Sequence, residues 1–134
     1  MIDFLNKVLI DFDKEEPKGG GKKTSAAPYN LFKVDKDFEN IPQSKTVQFH
    51  NLAAKTLYAT KRARPYTLTT VAFITTIVQA PDLDNWAKMV HMMRYIRGMR
   101  TLPLILSANG SGILKWWVDA SFAVHPNIQG HSGG

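Results

Sequence analysis

Between Asp82 and Gly98 the apolar residues Trp86, Met89, Val90, Met93 and Ile96 recur three or four positions apart, with an acidic residue opening the run and a glycine closing it. That spacing puts one face of an α-helix against a core, with Asp82 or Asp84 as the N-terminal cap and Gly98 as the stop. Such a helix draws most of its stability from packing, so the rest of the chain has to supply a surface that covers it. A chain of 134 residues that is 44% hydrophobic can build one ordinary core and not two complete domains.

Two further helices are expected to share that core. Ser44 can cap a helix whose inner face includes Val47, Ala54, Leu57 and Tyr58, and which ends at the basic Lys61-Arg62-Ala63-Arg64 before Pro65. In the stretch Tyr66 to Val78 the Thr, Val and Ile content favours a strand, but the helical spacing of Leu68, Val71, Ala72 and Thr75 and a length of 13 residues between two prolines favour a helix. At the N-terminus Ile2, Leu5, Leu9 and Phe12 form an amphipathic helix that needs a surface to dock on. From Asp13 to Pro28 the composition turns to charge, glycine and proline, which bury too little apolar area to offset the entropy of ordering, so a mobile linker is expected. Tyr29 to Pro42 reads as an extended segment.

After Gly98 the period changes. Leu102 to Leu106 and Ile113 to Phe122 are apolar or alternating runs separated by Ser107-Ala108-Asn109-Gly110-Ser111-Gly112, which predicts a β-hairpin. An unpaired hairpin edge invites self-association.

Composition narrows the chemistry. Cysteine is absent, which excludes disulfide frameworks, thiolate catalysis and cysteine-based zinc sites. The N-terminal run is interrupted by Asp3 and Asn6, unlike a signal peptide, and no stretch approaches the roughly 20 apolar residues of a membrane span, so an intracellular chain without a membrane partner is expected. Asn109-Gly110-Ser111 matches a glycosylation acceptor but reads as a turn. Seventeen basic against eleven acidic residues give a net charge of +6, which makes a polyanion the first partner to consider.

Three blocks in the chain carry a family resemblance. Phe49-His50-Asn51-Leu52-Ala53-Ala54-Lys55-Thr56-Leu57-Tyr58 followed by Lys61-Arg62-Ala63-Arg64-Pro65 is similar to a helix that leads into an Arg-Pro-Asp motif. Trp86 with Arg94-Tyr95-Ile96-Arg97-Gly98 resembles a tryptophan followed by an Arg-Tyr-Leu-Lys/Arg-Gly-Thr helix end. Trp117-Val118-Asp119-Ala120-Ser121-Phe122-Ala123 resembles the Ser-Asp-Ala-Asp-Trp-Ala string that opens a ribonuclease H domain. Their order and spacing resemble those of copia-type LTR retrotransposon polyproteins, from the end of the reverse transcriptase into ribonuclease H. Thr24-Ser25-Ala26-Ala27-Pro28 also resembles the segment after the polymerase palm. The departures are Tyr66 where the family has Asp, and Met99 where it has Thr.

The resemblance implies an α+β fold: a helical thumb- or connection-like segment followed by a β-hairpin of an incomplete ribonuclease H-like sheet. The expected parts are a docking helix over 1–12, a linker and extended segment over 13–43, a helical reverse-transcriptase region over 44–101, and a truncated ribonuclease H start over 102–134. It also implies that Asp119 is the first catalytic carboxylate and a magnesium ligand in an intact domain. Two magnesium ions about 4 Å apart need more oxygen ligands than one side chain provides, so neither catalysis nor a bound cofactor is expected of this segment alone. The polymerase's Tyr-x-Asp-Asp motif is missing too, since no Asp-Asp pair occurs.

Lys61, Arg62 and Arg64 at one helix end, with Arg94, Arg97 and Arg100 at another, form a candidate stripe for the phosphates of an RNA–DNA or DNA duplex. Basic residues in a last helical turn also suit the helix dipole, which needs no ligand. Trp116 and Trp117 fit core packing better than base stacking, and His50, His91, His125 and His131 lack the close spacing of a zinc site. The expected partners are duplex phosphates and the remainder of the parent polyprotein. The alternatives are a stand-alone basic nucleic-acid-binding module and a non-catalytic protein-interaction fragment.

Overall fold

In a computed structural model the described residues are 1–16, 19–21, 25–105, 107–115, 118–121 and 131–133. They fall into two units, Met1–Leu104 and Ile105–Gly134. The first contains α1 (Ile2–Asp13), α2 (Gln43–Ala63), a 3-10 turn at Pro65–Thr67, α3 (Leu68–Thr75) and α4 (Leu83–Gly98). None of these helices is long and apolar enough to cross a membrane.

Helix α4 starts as its sequence dictates: the Asp82 carboxylate accepts from the Asn85 backbone N–H at 2.7 Å and caps the first turn. Its Met89, Met92 and Met93 are completely buried, packed with Leu5, Phe12, Phe49 and Ile74 from the other helices. Helix α1 packs on both α2 and α4 through Leu5, Val8, Leu9 and Phe12. Asp11 ties α1 to α2 by accepting from Lys55 at 2.6 Å, and that bond, followed by one from Lys14, holds its carboxyl below the ordinary 3.8.

Helix α2 begins after Pro42 with no side-chain cap, so Ser44 lies inside the helix rather than capping it. Its buried face is Phe49, Leu52, Ala53, Thr56, Ala59 and Thr60, which corrects the expected Val47, Ala54 and Tyr58 face. Two threonines make the difference. Thr56 Oγ1 donates within its own helix to the Leu52 carbonyl at 2.7 Å, and Thr60 Oγ1 lies 2.6 Å from Thr67 Oγ1, so both hydroxyls are buried without cost of an unmade bond. The helix stops at Ala63 because Pro65 drives Arg64 out of the helical region, to φ −137° and ψ 54°.

Helix α3 is shorter than the 13-residue expectation. Thr75 and Thr76 hydroxyls bond back to the carbonyls of Ala72 and Phe73 at 2.8 and 2.7 Å, competing with continuation of the helix. The described part of the supposed linker is held against α4: the Trp86 indole donates to Glu16, and His91 Nε2 to the Ser25 carbonyl at 2.9 Å. Within the segment 29–42, Leu31 and Ile41 are buried and the Ile41 N–H bonds to the Pro81 carbonyl, just before α4.

The α+β expectation with a hairpin over Leu102 to Phe122 is contradicted: the described fold is helical. Residues 102–105 and 107–115 form no strand. The Asn109–Gly112 turn does form, with Asn109 Oδ1 accepting from Ser111 N–H and both glycines at positive φ, 72° and 66°. Its flanks do not pair because Ile105, Ile113 and Leu114 are mostly exposed, and a two-stranded hairpin with no buried face is marginal in water. The edge expected to drive self-association is thus missing from these residues. The strands among the described residues are β1 (Asp119–Ser121) and β2 (His131–Gly133), three residues each and antiparallel, with Asp119 opposite Gly133, and an isolated antiparallel bridge joins Asn40 to Asp82.

The rotated face of α2 has a measurable consequence. Phe49→Ala should cost about 3–5 kcal/mol in urea unfolding, as a cavity in a closed core does. Val47→Ala, on the half-exposed side, should stay within about 0.5 kcal/mol.

Candidate nucleic-acid interface

The six expected phosphate ligands separate into two groups according to what their guanidinium or ammonium groups touch. Lys61, Arg62 and Arg100 are exposed. The Arg62 guanidinium carbon lies over the Tyr58 ring, 3.8 Å from its centroid, and Tyr58 in turn packs on Phe4 at 5.0 Å. Arg62 Nη1 also donates to the Tyr58 carbonyl at 3.5 Å, a long contact that leaves most of the guanidinium's donors for phosphate oxygens.

Arg64 is a different case. It is 5% exposed and donates from Nη1 to the Ala63 carbonyl at 2.8 Å and from Nη2 to the Arg100 carbonyl at 2.5 Å. The cation thereby binds the C-terminal end of α2 to the end of α4, where the helix dipoles favour positive charge. Its Nε is buried with no hydrogen-bond partner among the described residues. Burial pushes the neighbouring Tyr66 phenol above its ordinary 10.0, against the opposing charge of Arg64, so Tyr66 contributes no anion to the pair. Arg64 is a clamp. By drawing the two helix ends together it sets Lys61, Arg62 and Arg100 on neighbouring termini.

Arg94 and Arg97 lie half-buried on the last turns of α4. Arg97 is ion-paired with Asp13 and also donates to the Gly19 carbonyl, while Arg94 lies close under Gly19. Of the two, Arg97 is the one whose donors are engaged with its own chain.

Sequence reasoning missed Lys88. It is 2% exposed, 2.7 Å from Asp84 Oδ2 one helical turn earlier, and it donates to the Lys33 carbonyl at 2.7 Å. The Phe73 ring takes a further face of the ammonium, 5.2 Å from its centroid. The acid-before-base spacing of four residues, Asp84 to Lys88, is the signal in the sequence that points to it. Asp84 and Lys88 line an open recess of about 380 Å³ with Tyr29, Asn30 and His91. With its donors so occupied, Lys88 serves to fix the 29–33 turn on α4 rather than to act as a base or nucleophile.

Asp119 has its backbone in β1. Trp116, Trp117 and His125 lie outside the described residues. Among the described residues, no three His, Asp or Glu side chains gather as a metal site. Comparison with family models, with curated proteins and with solved structures gives no match.

Removing the counter-ion of a buried charge is costly. Asp84→Asn should lower stability by about 3–5 kcal/mol in urea unfolding, because it strands the Lys88 ammonium. A loss below about 1 kcal/mol would mean the pair is solvated like an ordinary surface bridge.

Proposed function

We propose that the chain is a segment of a copia-type retrotransposon polyprotein, spanning the end of the reverse transcriptase and the opening of ribonuclease H, and that its helical unit contacts duplex phosphates without reading sequence. What carries the reading is the order of three sequence blocks: Phe49 to Pro65, then Trp86 with Arg94 to Gly98, then Trp117 to Ala123. Two of them fall on the helix ends that Arg64 joins, where Lys61, Arg62 and Arg100 remain exposed. The third contains Asp119. Cations held on rigid neighbouring termini neutralise phosphates through charge alone, and base edges play no part.

The chain should bind an RNA–DNA hybrid and a DNA duplex with similar affinity that falls steeply as salt rises. Each phosphate contact contributes about 0.9 to the slope of log affinity against log salt. Replacing Lys61, Arg62 and Arg100 together by Ala should flatten that slope, and binding indifferent to salt or to the triple change would refute the contact.

The ribonuclease H side is tested separately. The chain alone should leave an RNA–DNA hybrid uncut in magnesium, since one carboxylate does not hold two metal ions. Extended after Gly134 with the downstream segment of an intact copia-type element, it should cleave the RNA strand, and Asp119→Asn should abolish that cleavage with the fold intact. Equal cleavage with Asn at 119 would reject the placement of Asp119.

A further inference from the structure

The Arg97 guanidinium already receives from its own chain what a nucleic-acid phosphate offers. Nη2 donates to the Asp13 carboxylate, Nη1 donates to the Gly19 carbonyl, and the guanidinium carbon lies 5.8 Å from the centre of the Phe12 ring. The two ion-paired side chains are 18% and 25% exposed, well below an ordinary surface bridge. Nearby, Glu16 accepts from Trp86, so two acidic side chains from the end of α1 and just beyond it hold this part of the chain on α4.

The glycines make the close approach possible. A Cβ at Gly19 would sit 2.8 Å from Arg94 Nε, which a flexible side chain can relieve by moving. A Cβ at Gly21 would sit 2.6 Å from the Gly98 Cα and 2.7 Å from its N, and backbone does not give way so easily. Gly21 is therefore needed for contact with α4 rather than for any unusual backbone angle.

We infer that Asp13, with Gly19 and Gly21, forms an autoinhibitory contact that stands in for phosphate at Arg97 and withholds the C-terminal turn of α4 from a duplex. The inference rests on the phosphate-contact reading above. A tethered carboxylate competes at an effective concentration on the order of millimolar, so a weakly bound duplex displaces it only in part. Apparent affinity falls by the fraction of chains in which Arg97 is free.

The test is the dissociation constant for an RNA–DNA hybrid across a salt series, for the wild type, Asp13→Asn and Gly21→Ala, each with and without Arg97→Ala. Both single variants should tighten binding by about three- to tenfold, the gain from freeing a site that is about one-tenth to one-third available. Both should also steepen the salt slope by about 0.9, one added phosphate contact. Neither gain should survive in the Arg97→Ala background. Gly21→Ala changes no charge, so its gain separates release of Arg97 from a general loss of negative charge. A thermal melt accompanies each variant, and two unrelated lesions keep the test open if one of them unfolds. A gain from Asp13→Asn that persists without Arg97, or unchanged affinity in both variants while the wild type still binds, overturns the inference and leaves the phosphate reading standing. Wild-type binding that ignores salt and the Lys61, Arg62 and Arg100 changes overturns both.

Discussion

A helix that buries residues on more than one side needs a partner for each side, and α4 meets that demand from every part of the first unit. Its three internal methionines are buried in one cluster with residues of α1, α2 and α3, while Lys88 lies on a side covered by the 29–33 turn. Methionine suits such a position because its unbranched, flexible side chain fills irregular space between helices that approach from different directions. The buried Lys88–Asp84 pair belongs to the same solution. Once that side of α4 is covered, a lysine there has to carry its counter-ion inside with it.

The elements legible in the sequence were those whose information is local. The cap at Asp82, the stop before Pro65 and the Asn109–Gly112 turn each depend on a few neighbouring residues, and all are formed. What was not legible depended on distant partners. The inner face of α2 includes Thr56 and Thr60, which an apolar count passes over and whose hydroxyls are satisfied inside the fold. The hairpin failed for the opposite reason: its residues have strand propensity, but nothing among the described residues gives Ile113 and Leu114 a surface to bury against.

The candidate interface shows the same division. The net charge and the clustering of Lys61, Arg62, Arg64, Arg94, Arg97 and Arg100 were visible in the sequence, but not which of these side chains the fold would consume. Arg64 and Arg97 both use guanidinium groups to hold backbone oxygens of remote segments. Arginine suits this because its planar fork offers several fixed donors at once, and it keeps its charge when partly buried. Basic residues that look equivalent in one dimension thus divide into those that build the surface and those that present it.

The corner between α2 and α3 bears on how the molecule assembles. Thr67 donates to the Arg64 carbonyl at 2.8 Å, which leaves the Thr60 hydroxyl to donate into Thr67, a directed chain of bonds closed over seven residues. The bond from Arg64 to Arg100 spans 36 residues. The entropy of closing a loop rises with its length, so the threonine corner is the cheaper contact to form early and the arginine clamp the dearer one. On that ordering the corner between α2 and α3 closes before the clamp that gathers the exposed cations, and the longer closures, such as the 84 residues between Asp13 and Arg97, come later still.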